Sequence, residues 1–390
     1  MDFRLNDEQR MMIESARQVG ERFGLEYWRK QDAEKAFPTE YWKAVCEAGL
    51  SGVALPEEYG GSGLGMFEMA LIVEALSASG GGSTVGQLFM INPIFGGVSI
   101  ARFGSDAMRR DLLPKLISGE INCSMALTEP DAGTNTLEIK TYATQDGDGW
   151  RLNGRKIWIT GVESAHKMLV IARTKKLEEA QSRTDGLTMF MIDVKREGLA
   201  HTPIDKLGTC TLDSSSVFFD NVRVEPQELV GTLHKGWREL LDVLNTERMV
   251  TTAGLVGTGE LAIKLAVQYA NDRSVFGNRP ISSYQGLQFP LAQCHVEVES
   301  ARLLNYKAAT NFDMGLPYSN EANAAKLIAA QAVGRATERA MQTMGGMGYA
   351  KEYHVERLWR DCRLFRFAPV SEEMILNYVA NHELNMPRSY

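Results

Sequence analysis

Leu240-Leu241-Asp242-Val243-Leu244-Asn245-Thr246-Glu247-Arg248-Met249-Val250 opens a long segment of helical apolar periodicity with no proline before Pro280. Glu247 has Val243 four residues and Leu244 three residues before it, and Val250 three after. On a helix those positions share one face. A carboxylate therefore stands within an apolar stripe, with Arg248 beside it. Spacing alone leaves two readings. The commoner is a glutamate at the stripe's edge, solvated or paired with a cation, since structural pairs also perturb carboxylates. The other is a general base on a core helix.

Outward from this helix, the 390 residues suffice for a large core and two or three domains. Hydrophobic residues make up 44% and charged residues 23%, ordinary for a soluble globular protein. A formal net charge of −7 argues against nucleic acid as a partner. No apolar run is expected to span a membrane, so no membrane insertion is expected. The start, Met1-Asp2-Phe3-Arg4-Leu5-Asn6-Asp7-Glu8, lacks a charged-then-apolar signal. Cys46, Cys123, Cys210, Cys294 and Cys362 are scattered and form no CxxC pair, so neither a metal site nor a disulfide framework is expected. Reduced thiols suit the cytoplasm, or the mitochondrial matrix if a transit peptide has been removed.

The fold expected is α+β and mostly α: an N-terminal helical domain (1–120), a middle β-barrel-like domain (121–231) and a C-terminal four-helix bundle (232–390). Asn6 and Gln9 form a capping box, followed by Met12, Ile13, Ala16 and Val19 at helical spacing. Helices are expected over Thr39–Ala48 and Met66–Ser77, with Gly80-Gly81-Gly82 as a turn or helix break after the second. Asp146-Gly147-Asp148-Gly149 and Asn153-Gly154 read as turns, so Trp150–Leu152 and Arg155–Thr160 suggest a hairpin. Further strands are expected at Met168–Ala172, Leu187–Ile192 and Ser216–Phe219, and at Val222–Val224 after a turn. The helical period then returns near 237–272, 283–313, 319–344 and 371–381.

Five motifs in order resemble the acyl-CoA dehydrogenase family of flavoproteins, over essentially the whole length. They are Pro56-Glu57-Glu58-Tyr59-Gly60-Gly61, Leu127-Thr128-Glu129-Pro130-Asp131-Ala132-Gly133-Thr134, Leu152-Asn153-Gly154-Arg155-Lys156-Ile157-Trp158-Ile159-Thr160, Arg273-Ser274-Val275-Phe276-Gly277, and Gln342-Thr343-Met344-Gly345-Gly346-Met347-Gly348-Tyr349. Each alone is weak; the ordered set is specific. The resemblance implies FAD as cofactor, an acyl-CoA substrate and an electron-transfer flavoprotein as acceptor. It also implies a homotetramer or homodimer in which two chains share each FAD site. By the same resemblance, Met125, Leu127, Thr128, Gly133 and Thr134 line the flavin and its pyrophosphate, and Thr134 also reaches the CoA side. Trp158, Ile159 and Thr160 pack on the ring. Arg273 and Phe276 reach the FAD of a neighbouring subunit, arginine suiting phosphate through its planar fork. Gln285 belongs to the same segment, although the turn from Gly277 is one residue longer than the family pattern. Gln342, Thr343, Met344, Gly345 and Gly346 match the loop on the adenine half.

Most of the family carries its base in a Tyr-Glu-Gly-Thr stretch before the last helix. Here that stretch reads Phe367-Ala368-Pro369-Val370-Ser371-Glu372-Glu373-Met374, and the glutamate position falls on Pro369. Ser371 suits an N-cap and Glu372 and Glu373 the first helical turn. Ser371 and Glu373 also match positions that touch flavin. A minority, similar to isovaleryl-CoA dehydrogenase in base position, keep the base on the bundle helix. Glu247 takes that position, with Asn245 and Arg248 near the CoA arm. The resemblance thus implies α-proton abstraction by Glu247 with β-hydride transfer to flavin N5. Related chemistries stay open: reduction, oxidation by O₂, β-elimination, or acyl-CoA binding without turnover. Position 369 normally gives its backbone N–H to the thioester oxygen, and proline has none.

Overall fold

The Asn6 side chain accepts from the Gln9 amide at 2.8 Å, and the Gln9 side chain accepts from the Asn6 amide at 3.0 Å, so the capping box opens the first helix as its sequence requires. The computed structural model describes residues 4–388, so Met1–Phe3 of the N-terminal reading lie outside the described residues. Helices α1 (Asp7–Glu34), α2 (Thr39–Glu47), α3 (Met66–Leu76), α4 (Ser83–Phe89), α5 (Ser99–Phe103) and α6 (Asp106–Ser118) form the N-terminal domain. The triple glycine kinks a continuing helical path: Ser77–Gly81 is π-helical, with Gly80 at φ 132°. A second π-helical stretch, Met90–Val98, comes directly after α4.

The middle domain contains β1 (Cys123–Ala126), β2 (Tyr142–Asp146), β3 (Gly149–Thr160), β4 (Lys167–Arg173), β5 (Leu187–Asp193), β6 (Leu199–Pro203), β7 (Ser214–Val224) and β8 (Leu229–Val230). The sheet runs β6-β7-β3-β2-β4-β5-β8, and β1 pairs parallel to β4. The hairpin lies one element earlier than the sequence suggests. β2 and β3 turn at Gly147-Asp148, while Asn153-Gly154 sits inside β3. There the β3–β7 register shifts between Leu152 and Gly154, so Asp220 and Asn221 oppose Asn153 alone. Asn221 fills the bulge at φ 53°, its amide donating to Asn153 Oδ1 at 2.9 Å. That bulge also replaces the turn expected before Val222, so β7 is one strand.

The C-terminal domain comprises α7 (Gly236–Asp272), a two-residue ribbon β9 (Ser274–Val275) and β10 (Arg279–Pro280), then α8 (Gln285–Asp313), α9 (Ser319–Met344), α10 (Val355–Cys362) and α11 (Glu372–His382). Helices α7, α8 and α9 pack on one another and α11 lies on α9. Of these helices, α10 alone has no counterpart in the periodicity of the sequence.

Helix α7 is the molecule's central rod. Every residue from Met249 to Gly259 is buried, the all-round pattern of a core helix. Glycines let the N-terminal domain approach it. A Cβ on Gly254 would lie 2.9 Å from Gly86 Cα of α4, and one on Gly257 would lie 2.4 Å from the Glu74 carbonyl of α3. One core cluster accordingly mixes Trp28, Trp42 and Phe89 with Val243, Met249, Val250 and Ala253. The expectation that no apolar run could span a membrane needs correction. Ser83–Phe103 and Gly236–Asp272 are long and apolar enough by length and composition, with 94% and 72% of their most apolar windows buried inside the fold.

Candidate active site

Glu247 lies on the buried side of α7, 1% exposed. Neither of its carboxylate oxygens has a hydrogen-bond partner. Burial pushes its pKa up to about 8, and the nearby charges of Arg248 and Lys326 only partly oppose this. A buried carboxylate without partners is costly to leave unused. Two nearby hydroxyls are satisfied within the helix: Thr246 Oγ1 donates to the Val243 carbonyl at 2.8 Å and Thr252 Oγ1 to that of Arg248 at 2.7 Å, whereas Thr251 Oγ1 is buried without a partner. Arg248 donates to Asn245 Oδ1, and Asn245 Nδ2 donates to Ser319 Oγ at 3.1 Å. The Arg248 Nε is buried and unpaired. A cleft of about 540 Å³ opens at this end of α7, lined among others by Arg102, Asp242, Asp313 and Tyr318.

Behind Glu247 stands Lys326 of α9, fully buried. Its ammonium donates to the Phe365 carbonyl at 2.6 Å and the Val370 carbonyl at 2.8 Å, so it bridges the stretch containing Pro369. Burial pulls its pKa down to about 8, against Glu247 and Glu372. No motif in the sequence singles this residue out, yet a signal exists. Ala322, Ala325, Ala329, Ala330 and Val333 form the buried stripe of α9, and Lys326 falls within it. Ser371 caps α11, its side chain accepting from the Met374 amide at 3.4 Å, and Glu372 pairs with Arg366 at 2.8 Å while Glu373 is exposed. Pro369 and Val370 are half-buried, and Val370 has φ 63°, a conformation that a β-branched residue rarely adopts.

A second group gathers where β1 ends. Met125 and Leu127 pack in one cluster with Leu240 and Leu244, which sets this loop against the start of α7. The Thr128 carbonyl accepts from the Ile157 amide at 2.9 Å, so the loop lies along β3. Glu129 fixes the adjoining turn by accepting from the Lys140 and Thr141 amides at 2.6 and 2.8 Å and by pairing with fully buried Lys156 at 3.0 Å. Lys156 also donates to the Leu127 carbonyl at 2.8 Å. Gly133 and Thr134 are exposed. In β3 the register shifts again between Lys156 and Ile159. Trp158 occupies that bulge at φ 61° and is 54% exposed, while Ile159 is buried and Thr160 half-buried. A strand residue in the left-handed region turns a broad aromatic face outward, beside the Thr128 loop. It offers a flat ring system a surface to stack on, with backbone and hydroxyl groups at its edge.

The remaining predicted residues lie elsewhere. Arg273 caps the far end of α7, about 26 residues and roughly 39 Å along the helix from Glu247 at 1.5 Å per residue. Arg273, Phe276 and Gln285 are exposed, Phe276 by 93%. Gln342, Gly345 and Gly346 are exposed at the end of α9, where Gly345 takes φ 59°, and Thr343 and Met344 are buried. Tyr349 just beyond is 83% exposed. Within one chain the predicted residues thus form two sets at opposite ends of α7. Among the described residues, no group of three or more His, Cys, Asp or Glu side chains could hold a metal ion.

Residues 6–120, 124–222 and 234–384 match the profiles described as acyl-CoA dehydrogenase N-terminal, middle and C-terminal domains. The chain is 39% identical over 370 residues to the acyl-CoA dehydrogenase FadE12 of Mycobacterium tuberculosis, covering 94% of each chain. It is 34% identical to the 3-(aryl)acrylate reductase of Clostridium sporogenes, covering 90% of this chain and 92% of that one. The solved complex of glutaryl-coenzyme A dehydrogenase with glutaryl-CoA superimposes with a TM-score of 0.94 at 30% identity, covering 100% of this chain and 98% of that one.

Proposed function

The chain belongs to the acyl-CoA dehydrogenase family of FAD-dependent oxidoreductases, and from that premise we propose that it dehydrogenates an acyl-CoA thioester with Glu247 as the base. The substrate loses its α-proton to a Glu247 carboxylate oxygen and its β-hydride to FAD, which when bound supplies the acceptor, and it leaves as the α,β-unsaturated thioester. The observation that carries this reading is the isolation of Glu247: a buried carboxylate with two free oxygens. Desolvation raises its basicity toward the range useful near neutral pH. Asn245 and Arg248, on the same turn, are placed to steer the polar arm of the substrate past the base. Pro369 has no ionisable group, so it cannot serve as the alternative base.

The two separated residue sets support a FAD site made by two chains. Trp158, Ile159, Thr160 and the 125–134 segment of one chain hold the ring, while Arg273, Phe276 and Gln342–Gly346 of another reach the phosphates and adenine. The exposure of Phe276 and Tyr349 fits surfaces that a second copy covers. We assign the electrons to an electron-transfer flavoprotein.

One observation favours a second direction for the same site. With its pKa raised to about 8, ligand-free Glu247 holds its proton at neutral pH and can deliver it to an α-carbon, as enoyl-thioester reduction requires.

The test is anaerobic mixing of the FAD-loaded protein with a panel of acyl-CoA thioesters while flavin absorbance is followed. Bleaching by at least one is expected, and Glu247→Gln should keep FAD but slow bleaching by roughly 10²–10⁴-fold, the range of a lost general base. Unchanged bleaching in that variant removes Glu247 from the chemistry. Bleaching by no saturated thioester, with reoxidation of chemically reduced protein by an enoyl-CoA, selects the reductive direction.

A further inference from the structure

Lys326 belongs to none of the motifs that carry the family resemblance. Yet its ammonium is fully buried and grips two backbone carbonyls from a different part of the chain, Phe365 at 2.6 Å and Val370 at 2.8 Å. These carbonyls flank Pro369. Helix α9, which carries Lys326, packs along α7, where Glu247 is likewise buried; the two side chains share no hydrogen bond, since both Glu247 oxygens are unpartnered, and the Lys326 charge opposes the effect of burial on that carboxylate. A buried lysine at this position therefore joins the base helix to the segment before α11. We propose that Lys326 is a positioning residue: one ammonium that clamps residues 365–370 and at the same time sets the charge against which Glu247 takes and releases its proton. The inference rests on the reading of Glu247 as the base.

The charges around the pair are few. Lys326 faces Glu247 and Arg248 from α7, and Glu372 and Glu373 from α11. Glu372 is engaged by Arg366, whose Nε and Nη2 donate to it at 2.8 and 2.9 Å. Glu247 feels Arg248 and Lys326. Arg248 is itself bonded to Asn245, so Lys326 is the charge whose removal acts on Glu247 with least disturbance of the polar arm. Without that cation the ionised carboxylate loses a favourable partner, and Glu247 holds its proton to higher pH.

Two substitutions separate the roles. Lys326→Gln keeps an N–H donor for the carbonyls and removes the charge; Lys326→Met removes both. In each, the acid limb of the rate of flavin reduction by a reactive acyl-CoA should move upward by about one pH unit, the lower end of the range for a neighbouring charge. On that limb this is roughly a tenfold loss of rate at fixed pH. Lys326→Met should in addition lower the plateau rate, since the 365–370 segment is no longer held. Variants that keep FAD and melt like the parent, with an unmoved acid limb, overturn the proposal.

Should a single variant fold poorly at high temperature, thermal unfolding at pH 8, where ammonium and carboxylate are both populated, of the parent, Lys326→Met, Glu247→Gln and the Glu247→Gln/Lys326→Met double variant gives an independent reading. The Lys326→Met change should cost less when no carboxylate is left opposite it. A Lys326→Met cost that is the same in the parent and in the Glu247→Gln background overturns the proposal. Flavin reduction that survives in Glu247→Gln defeats the base assignment, while the melting comparison still reports whether the two side chains are coupled.

Discussion

Glu247, buried and raised in pKa, makes stability depend on pH whatever its part in turnover. A glutamate in an unfolded chain titrates near 4.3, whereas burial raises this one to about 8. Between those values the folded chain holds a proton that the unfolded chain releases. The native state is therefore favoured fully at low pH and progressively less as pH rises through about 8. Replacing the ionisable group by Gln should lift the melting temperature at pH 9 by roughly 1 °C for each kcal/mol recovered in a chain of this length. It should leave the melting temperature almost unchanged near pH 4. Thermal melts of the two proteins across that range check this, and a pH-independent difference would refute it. At this scale the sequence is informative about Glu247 because Val243, Leu244 and Val250 report the buried face directly. Lys326 is not legible in the same way. A lysine in an alanine stripe reads equally as a long side chain reaching for water, and its partners lie about forty residues on, at backbone carbonyls that no residue type announces.

At the scale of elements, glycine and bulge positions decide how the site is assembled. Gly254 and Gly86 let α7 and α4 approach closely, about two turns from Glu247. Gly254→Leu should force the helices apart, destabilising the fold by about 1–3 kcal/mol, as overpacking typically does. Urea unfolding tracked by circular dichroism measures it; a loss below a few tenths of a kcal/mol would mean that the crossing is more plastic than its 2.9 Å approach implies. The long helices are legible because their apolar period runs for many turns. The β domain is less so. Asn153-Gly154 has the chemistry of a hairpin turn, but pairing with β7 draws it into a strand as a bulge, where a Cβ on Gly154 would lie 2.5 Å from Thr141 Oγ1. Local propensity cannot tell a turn from a bulge when both need the same backbone freedom. Trp158 illustrates the same limit: its type suggests sheet packing, and only the register shift beside it turns the ring outward.

For the whole molecule, the spacing of Glu247 and Arg273 on one helix makes a specific test of shared sites possible. Chains bearing Glu247→Gln and chains bearing Arg273→Glu should each be nearly inactive alone. When mixed, unfolded and refolded together, a two-chain site can draw an intact Glu247 from one chain and an intact Arg273 from the other. About a quarter of parental activity is expected at equal mixing with random pairing, because each site needs two independent intact contributions. No recovery, with both variants folded and associated, would assign the whole FAD site to a single chain. Domain order and the long helices are readable from the sequence. The division of the candidate residues into two sets is readable only through the family resemblance, and the order of the strands not at all, because it depends on pairing between distant segments.

Helix α7 runs for 37 residues with no proline and no break among them. In the two-chain arrangement proposed above, its one end would carry the base of one site and its other end the phosphate ligand of the next. A rod so built is a lever arm with a working tip at each end. A thioester that settles against Glu247 and tilts the helix must also load or relax the grip of Arg273 on a neighbour's dinucleotide. By reciprocity, cofactor seated at the far tip biases how the near tip receives its thioester. The active sites would then be coupled in affinity as a ring of linked balances, with the communication carried by the same backbone that holds the base.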